Sequence, residues 1–438
     1  MSEEHSRRYL WYVIGVLTIA STFSIIDRQI LNVMIGPVKR DLGGISDFQV
    51  SLIMGFAFTF MYSVLSYPAG WLADRYSRRN LMAGGIATWS ILTVFCGLAN
   101  QYMHLFLARM GVGVGEATLG PAANSVLADY FSPDKLPLAI GIVSTAPFVG
   151  QGLANIAGGP LIDYLESTPN FVLPLFGEVF SWQMVFIVVG APGLLVALAM
   201  LGVREPRRLG KLSDSIGVPF SDVWQFVKKR KAFFTLVFAG YLGLATQGWS
   251  LFSWLVEYYV RNHGWTRTEI GLTYGSIAMV VGIAGSVLGG LLATVLIKRK
   301  VADATLRLVT YATIILLPAA TALTLVPNPW VGIALLVPVT FCMAIPPGLI
   351  MASLQAISPN ELRGQMVAFY LIAVNFLAYT FAPSLPAVLS DHVFGSELAL
   401  GKSISILAVL NYSLAILCLS LGLKYYRKCL AEAKEWQQ

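Results

Sequence analysis

Apolar residues run along this chain in blocks of about 20, each long enough to cross a bilayer as a helix. The breaks between blocks are short and polar. Twelve helical spans are predicted, at approximately 10–38, 48–73, 79–98, 103–130, 136–165, 182–202, 233–260, 268–297, 308–325, 330–357, 364–390 and 401–424. In lipid every backbone N–H and C=O must be bonded internally, so runs of this length read as helices and not strands. One connection is long and charged, from Arg204 to Lys231. It divides the chain into a first six-helix bundle over 1–203, a linker over 204–231 and a second six-helix bundle over 232–438.

Composition agrees with the pattern. Hydrophobic residues make up 56% of 438 and charged residues 12%, against roughly 25% charged in a soluble domain. Mean hydropathy is +0.69. The formal charge of +7 does not point to nucleic acid, because Lys and Arg crowd into the breaks between spans. With both termini inside, the cytoplasmic segments hold about 23 of the 30 basic residues. Residues Met1 to Arg8 lead into an apolar run too long for a signal-peptide core, so the first span is expected to stay in the mature protein. The expected location is a bacterial inner membrane. Cys96, Cys342, Cys418 and Cys429 offer no disulfide framework, and His5, His104, His263 and His392 are scattered without ligand spacing. Neither a metal nor a cofactor is expected.

Two local repeats support duplication. Gly70-Trp-Leu-Ala-Asp-Arg-Tyr-Ser-Arg-Arg79 after the second span is echoed by Gly290-Leu-Leu-Ala-Thr-Val-Leu-Ile-Lys-Arg299 after the eighth. Ser132-Pro-Asp-Lys-Leu136 before the fifth is echoed by Ser358-Pro-Asn-Glu-Leu362 before the eleventh. Matches in the right order make two parallel six-helix halves the expected architecture.

The first of these segments resembles the loop signature of the major facilitator superfamily, Gly-x-Leu-Ala-Asp-Arg-x-Gly-Arg-Arg, with Ser77 where Gly is usual. Within that superfamily the first half resembles the spinster-like transporters. The stretches that carry it are Ile26-Asp27-Arg28, Leu72 to Ser90, and Ala108-Arg109-Met-Gly-Val-Gly-Val-Gly-Glu116-Ala117. The resemblance implies an all-α membrane fold of twelve helices, alternating access, proton coupling and lipid-like or amphipathic substrates. Organic-anion symporters of the same superfamily share Asp-Arg in span one and Glu in span four, so that reading stays open.

Four ionisable side chains lie well inside predicted spans: Asp27, Arg28, Arg109 and Glu116. A charge at the bilayer centre costs about 2.5–3.5 kcal/mol even on lenient scales, which makes such residues functional candidates. Arg109 and Glu116, seven apart, share one helix face, about 10 Å apart along the axis. Asp27 and Arg28 lie roughly 16 Å below the outer end of span one, and Glu116 roughly 21 Å below that of span four. Arg28 can therefore reach Glu116 if the two spans face each other, as they do in the family. A carboxylate that gains and loses an Arg partner releases and binds a proton, while Arg keeps its charge. Glu116 and Asp27 are thus the proposed proton-binding pair, Arg28 the movable counter-ion, and Arg109 a structural residue near the outer end. The bland alternative is an ion pair that fastens span one to span four.

Gly111-Val-Gly-Val-Gly115 lacks the spacing of a nucleotide loop and lies in an apolar span, so it reads as a close-packing stripe. Gln151, Asn155, Gln247 and Asn375 either face a cavity or bond neighbouring helices. Before span eleven, Ser358, Pro359 and Glu361 read as N-cap, first helical residue and capping-box acid. The resemblance places Asp74 at that helix start when the cytoplasmic side is closed, with Arg75 and Arg78 pairing across the same seam. Thr294 replaces the acid in the second copy, so such a latch is one-sided.

No nucleophile–base or metal constellation marks an enzyme. The leading expectation is a monomeric, proton-coupled exporter of lipid-like amphiphiles, whose partners are its substrate, protons and membrane lipids. The alternatives are a proton-coupled organic-anion symporter and a lipid scramblase on the same fold.

Overall fold

The computed structural model describes residues 6–132, 135–168, 170–173, 177–206, 220–359 and 362–437. Among the described residues twelve long helical segments follow one another. Eight, including Arg7–Val33, Asp47–Arg75, Ser181–Leu201 and Pro329–Ile357, are long and apolar enough to cross a membrane. Those that fall short include Tyr102–Glu116 with its continuation Leu119–Tyr130 and Lys231–His263. The reason is visible in the first: Arg109 and Glu116 lower its apolar content.

Several helices depart from uniform α geometry. Span one tightens into a 3-10 turn over Ile30–Val33. Span two opens into a π-helical stretch over Leu52–Ala57 before Phe58, the wider turn that often marks functional sites. Span four breaks directly after Glu116, and span five after Val143. Between spans five and six the chain forms a two-stranded antiparallel hairpin, Phe171–Leu173 with Gly177–Val179, which hydropathy alone does not reveal. The long connection holds a helix, Phe220–Lys229. The last helix runs Leu400–Gln437, beyond the predicted end of span twelve.

Ser358 is the C-cap of the helix before span eleven. Its hydroxyl donates to the Leu354 carbonyl at 2.7 Å, finishing the preceding helix. The eleventh helix begins at Arg363 without a side-chain cap, and Glu361 lies outside the described residues. A Ser in the last turn of an existing helix can reach back to the i−4 carbonyl by donating its proton, and its lone pairs stay open to accept.

The chain forms two compact units: Met1–Lys211 with Tyr259–Met279, and Leu212–Tyr258 with Val280–Gln438. The end of span seven and the start of span eight thus belong to the first unit. Glycine makes that packing close: a Cβ on Gly275 would stand 2.7 Å from the Gly152 carbonyl, and one on Gly159 2.3 Å from that of Arg267.

Candidate functional site

Glycines bring span four against its neighbours. A Cβ on Gly113 would lie 2.4 Å from the Phe58 carbonyl of span two. One on Gly115 would meet the Trp89 nitrogen of span three at 2.7 Å. The glycine stripe is a packing device, and it presses Glu116 into the interior beside span one.

There Glu116 is 2% exposed. One carboxyl oxygen, Oε2, accepts from Arg28 Nε at 2.8 Å, from Arg28 Nη2 at 2.6 Å and from Ser24 Oγ at 2.5 Å. Ser24 and Arg28 stand four residues apart, on one helix face. The other oxygen, Oε1, is buried and accepts no hydrogen bond among the described residues. The Arg28 guanidinium lies over Phe58 and Tyr62, at 4.5 and 4.7 Å from the ring centroids. Its side chain stays 17% accessible while that of Glu116 is sealed.

Asp27 points elsewhere. Thr93 Oγ1 of span three donates to its Oδ2 at 2.5 Å, while Oδ1 is buried without a hydrogen-bond partner among the described residues. No ion pair reaches it among the described residues. Arg109 is fully buried and donates from Nη1 to the main-chain oxygen of Asp27 at 3.1 Å. That carbonyl belongs to the last turn of the α-helical part of span one, where carbonyls lack donors from a following turn. Arg109 also approaches the Phe58 ring, at 5.7 Å. The four charges predicted from the sequence therefore meet in one cluster, with Arg28–Glu116 paired as expected and Arg109 fixing the backbone of Asp27. Sequence reasoning missed Ser24, Thr93 and Phe58. Ser24 was findable, one turn from Arg28 on the same face; the other two needed the tertiary packing.

The remaining predicted residues are dispersed. Gln151 Nε2 donates to Tyr274 Oη at 2.5 Å, and Asn155 Nδ2 to the Gln151 carbonyl at 2.8 Å. Gln247 is fully buried and donates to the Ile404 carbonyl at 3.2 Å. Gln151 and Gln247 thus bond helices together, while Asn155 bonds back within its own helix. The Asn375 side chain lies outside the described residues. Asp74 is exposed, with no ion pair among the described residues, and Arg75 stacks on Trp71 at 4.0 Å. Arg78 is buried inside the first unit. It pairs with Asp129, with Glu205 at 2.8 Å and with Ser125 at 2.8 Å, so the expected pairing of Arg78 across the seam is replaced by these bonds.

A second charged cluster escaped the sequence. Asp47, fully buried at the start of span two, accepts Lys39 at 2.5 Å and both terminal nitrogens of Arg261 at 2.6 and 2.9 Å. Glu166 takes Arg40 at 3.0 Å and Arg267 at 3.3 Å, and Asp163 accepts the amide and hydroxyl of Thr268 at 2.7 Å each. These bonds hold the segment Tyr259–Met279 to the ends of spans one, two and five.

With this geometry in place the comparisons become specific. The family model described as Major Facilitator Superfamily matches residues 17–383. The chain belongs to the Major Facilitator Superfamily. This facilitator is 26% identical over 442 residues to an MFS-type efflux pump of Mycolicibacterium smegmatis, covering 98% of this chain and 96% of that one. It is 25% identical to the D-galactonate transporter of Escherichia coli over 67% of this chain and 68% of that one. Among solved structures it resembles a bacterial homolog to the human lysosomal transporter Spinster in an inward-facing, unoccupied conformation. The TM-score is 0.82 at 26% identity, over 98% of this chain and 99% of the other. The facilitator is an integral membrane protein and a secondary transporter with a spinster-like fold, not an enzyme.

Proposed function

We propose that this facilitator is a proton-coupled exporter of lipid-like or amphipathic molecules that works by alternating access. Both termini are cytoplasmic in this reading, the membrane is a bacterial inner membrane, and the six-helix halves over 1–203 and 232–438 are the moving bodies. The carrying observation is the pair of buried acids around Arg28. Glu116 is fully committed on one oxygen and uncommitted on the other, and Asp27 has a neutral donor but no cation. If Arg28 swings away from Glu116, the acid loses its counter-charge in a sealed site and takes up a proton; its return expels that proton. Asp27, one residue from Arg28, supplies the second proton-binding carboxyl. The Phe58 and Tyr62 rings hold the guanidinium by cation–π attraction beside Glu116. The efflux-pump and spinster likenesses support an amphiphilic cargo leaving the cell.

A second reading has its own observation. Arg28 is the accessible charge of the cluster, and a relative is named a D-galactonate transporter. In that reading Arg28 holds a substrate carboxylate by charge-assisted hydrogen bonds. Purified protein in liposomes loaded with a pH dye separates the two. The export reading expects proton flux on adding a lysolipid or a long-chain amine and none with hexonates, with amphiphile binding largely surviving Arg28→Ala because buried area supplies the affinity. Hexonate-driven proton flux that Arg28→Ala abolishes would replace it. Amphiphile movement indifferent to the pH gradient would make the protein a scramblase.

A further inference from the structure

The linker helix Phe220–Lys229 has two unlike faces. Val223 is buried in a small cluster with Leu362 and Met366, joined by Phe226, Val227 and Phe234. At 100° per residue these positions of the helix form one stripe. The opposite side carries Trp224, Gln225, Lys228 and Lys229, all exposed, with Trp224 at 50%. Trp224 and Lys228 are one turn apart and stand side by side. Lys231, also exposed, opens the seventh helix two residues later.

The basic run Lys228-Lys-Arg-Lys231 is not uniformly available. Arg230 pairs with Glu432 at 2.9 Å and stacks over Phe226 at 4.2 Å, which turns it back into the second unit. Lys228, Lys229 and Lys231 have no acid within ion-pair distance among the described residues. The helix is thus docked by its apolar face and by Arg230, and it presents three lysines and a tryptophan outward. Their level is set by the chain. The apolar run of span seven starts at Ala232, and the polar end of such a run is the level expected to meet the headgroups. Trp is favoured at that depth because its ring is apolar and its N–H polar. Lysines there extend their heads into the phosphate layer while their stems lie along apolar surface.

We infer that the outward face of the linker helix, Trp224 with Lys228, Lys229 and Lys231, is a binding surface for the headgroups of anionic phospholipid. Charge complementarity selects the occupant: clustered Lys beside a membrane span attract a negative leaflet, and a neutral zwitterionic surface offers no such gain. Trp224 adds the apolar anchor that a soluble acidic partner does not need.

The full-length protein in neutral detergent, titrated with phosphatidylglycerol or with phosphatidylcholine, tests this without knowledge of the transported substrate. Phosphatidylglycerol is expected to raise the melting temperature of the wild type by several degrees and phosphatidylcholine hardly at all. The variant Lys228→Gln/Lys229→Gln/Lys231→Gln is expected to melt like the wild type without added lipid, since these lysines meet no acid among the described residues. It should lose at least half of the shift caused by phosphatidylglycerol. An undiminished shift in that variant overturns the proposal, and so does an equal response to both lipids. Glycerol 3-phosphate stabilising as well as phosphatidylglycerol would make this a free-anion site and sink the lipid surface. If the triple variant does not fold, reconstituted wild type and Trp224→Phe are compared with phosphatidylglycerol brominated near the carbonyl end of its chains. The wild type should show an extra quenched component that Trp224→Phe lacks; identical quenching refutes the placement.

Discussion

Glu116 takes three hydrogen bonds on one oxygen and, among the described residues, none on the other, and this asymmetry separates a switch from a rivet. A structural pair would lose about 3–5 kcal/mol when one charge is removed, because the other stays buried and uncompensated. Arg28, however, is 17% accessible and rests on two aromatic faces, so its charge has other company. Glu116→Gln is therefore expected to fold with a melting temperature near that of the wild type, because its amide oxygen still accepts from Ser24 and Arg28. It should lose transport driven by a pH gradient while retaining substrate exchange. Concentrative uptake or export that persists in this variant would show that Glu116 is not the proton carrier. Asp27→Asn, alone and combined, checks whether the neighbouring acid takes over. The glycines give a second residue-scale expectation. Gly113→Ala places a Cβ against the immobile Phe58 carbonyl, whereas Gly111→Ala meets the movable end of Leu92. Overpacking against backbone typically costs about 1–3 kcal/mol. Gly113→Ala should melt lower than Gly111→Ala and transport less, because Phe58 carries the Arg28 guanidinium; equal melting temperatures for the two would contradict this.

At the scale of the element, the spans were legible because hydropathy is a one-dimensional signal and a bilayer fixes its length. Their irregularities were not. The π turn before Phe58 depends on which neighbour fills the space; the break after Glu116 has a local cause, Pro121, which withholds the α-helical donor from Ala117, but a hydropathy signal of span length does not report it. Ser358 closes the preceding helix through its bond to the Leu354 carbonyl, a role that the capping pattern in the sequence does not announce. The basic loop after span two is more ordered than its positive-inside pattern suggests. Ser77 caps span three by accepting from the Asn80 amide, and Glu205 accepts from the Ser77 hydroxyl, the Arg79 amide and Arg78. Burial alone would raise the Glu205 carboxyl, but the Arg79 amide and Arg78 together hold it below its ordinary range. A carboxyl depressed in the folded state stabilises above its unfolded pKa, and that stability is lost as pH falls through the folded value. Melting temperature should accordingly drop as pH falls below about 4.5, the ordinary Glu range, and Glu205→Gln should shrink that pH-dependent part. The group is partly solvent-exposed, so the effect is modest. Parallel pH profiles for variant and wild type would remove Glu205 from this role.

Over the whole molecule, two short repeats and one loop signature sufficed for the architecture, since each half repeats the same spans in the same order. The central charges were legible for a similar reason: charges in lipid are conspicuous, and helical spacing fixes their faces. Asp47 was not, because its partner Arg261 lies 214 residues away and both read as ordinary loop and helix-end charges. Under the alternating access proposed above, that pairing is consequential. The packing of Tyr259–Met279 onto spans one, two and five seals buried positions such as Asn155, which is 3% exposed, and a transporter cycle must part it. Asp47 holds two cations at once, so Asp47→Asn leaves Lys39 and Arg261 facing each other in a buried place, which repels where the wild type attracts. Gln151–Tyr274 and Asp163–Thr268 remain to close the same seam, so the variant should still fold. The test uses Asn155→Cys with the four native cysteines replaced and a membrane-impermeant maleimide added from the side of Asp47. Labelling should be slow with Asp47 intact and several-fold faster with Asp47→Asn, and Lys39→Gln added to Asp47→Asn should slow it again by removing the repulsion. Labelling at the same rate in all three would mean that the Asp47 cluster fastens the fold without setting how often that side opens.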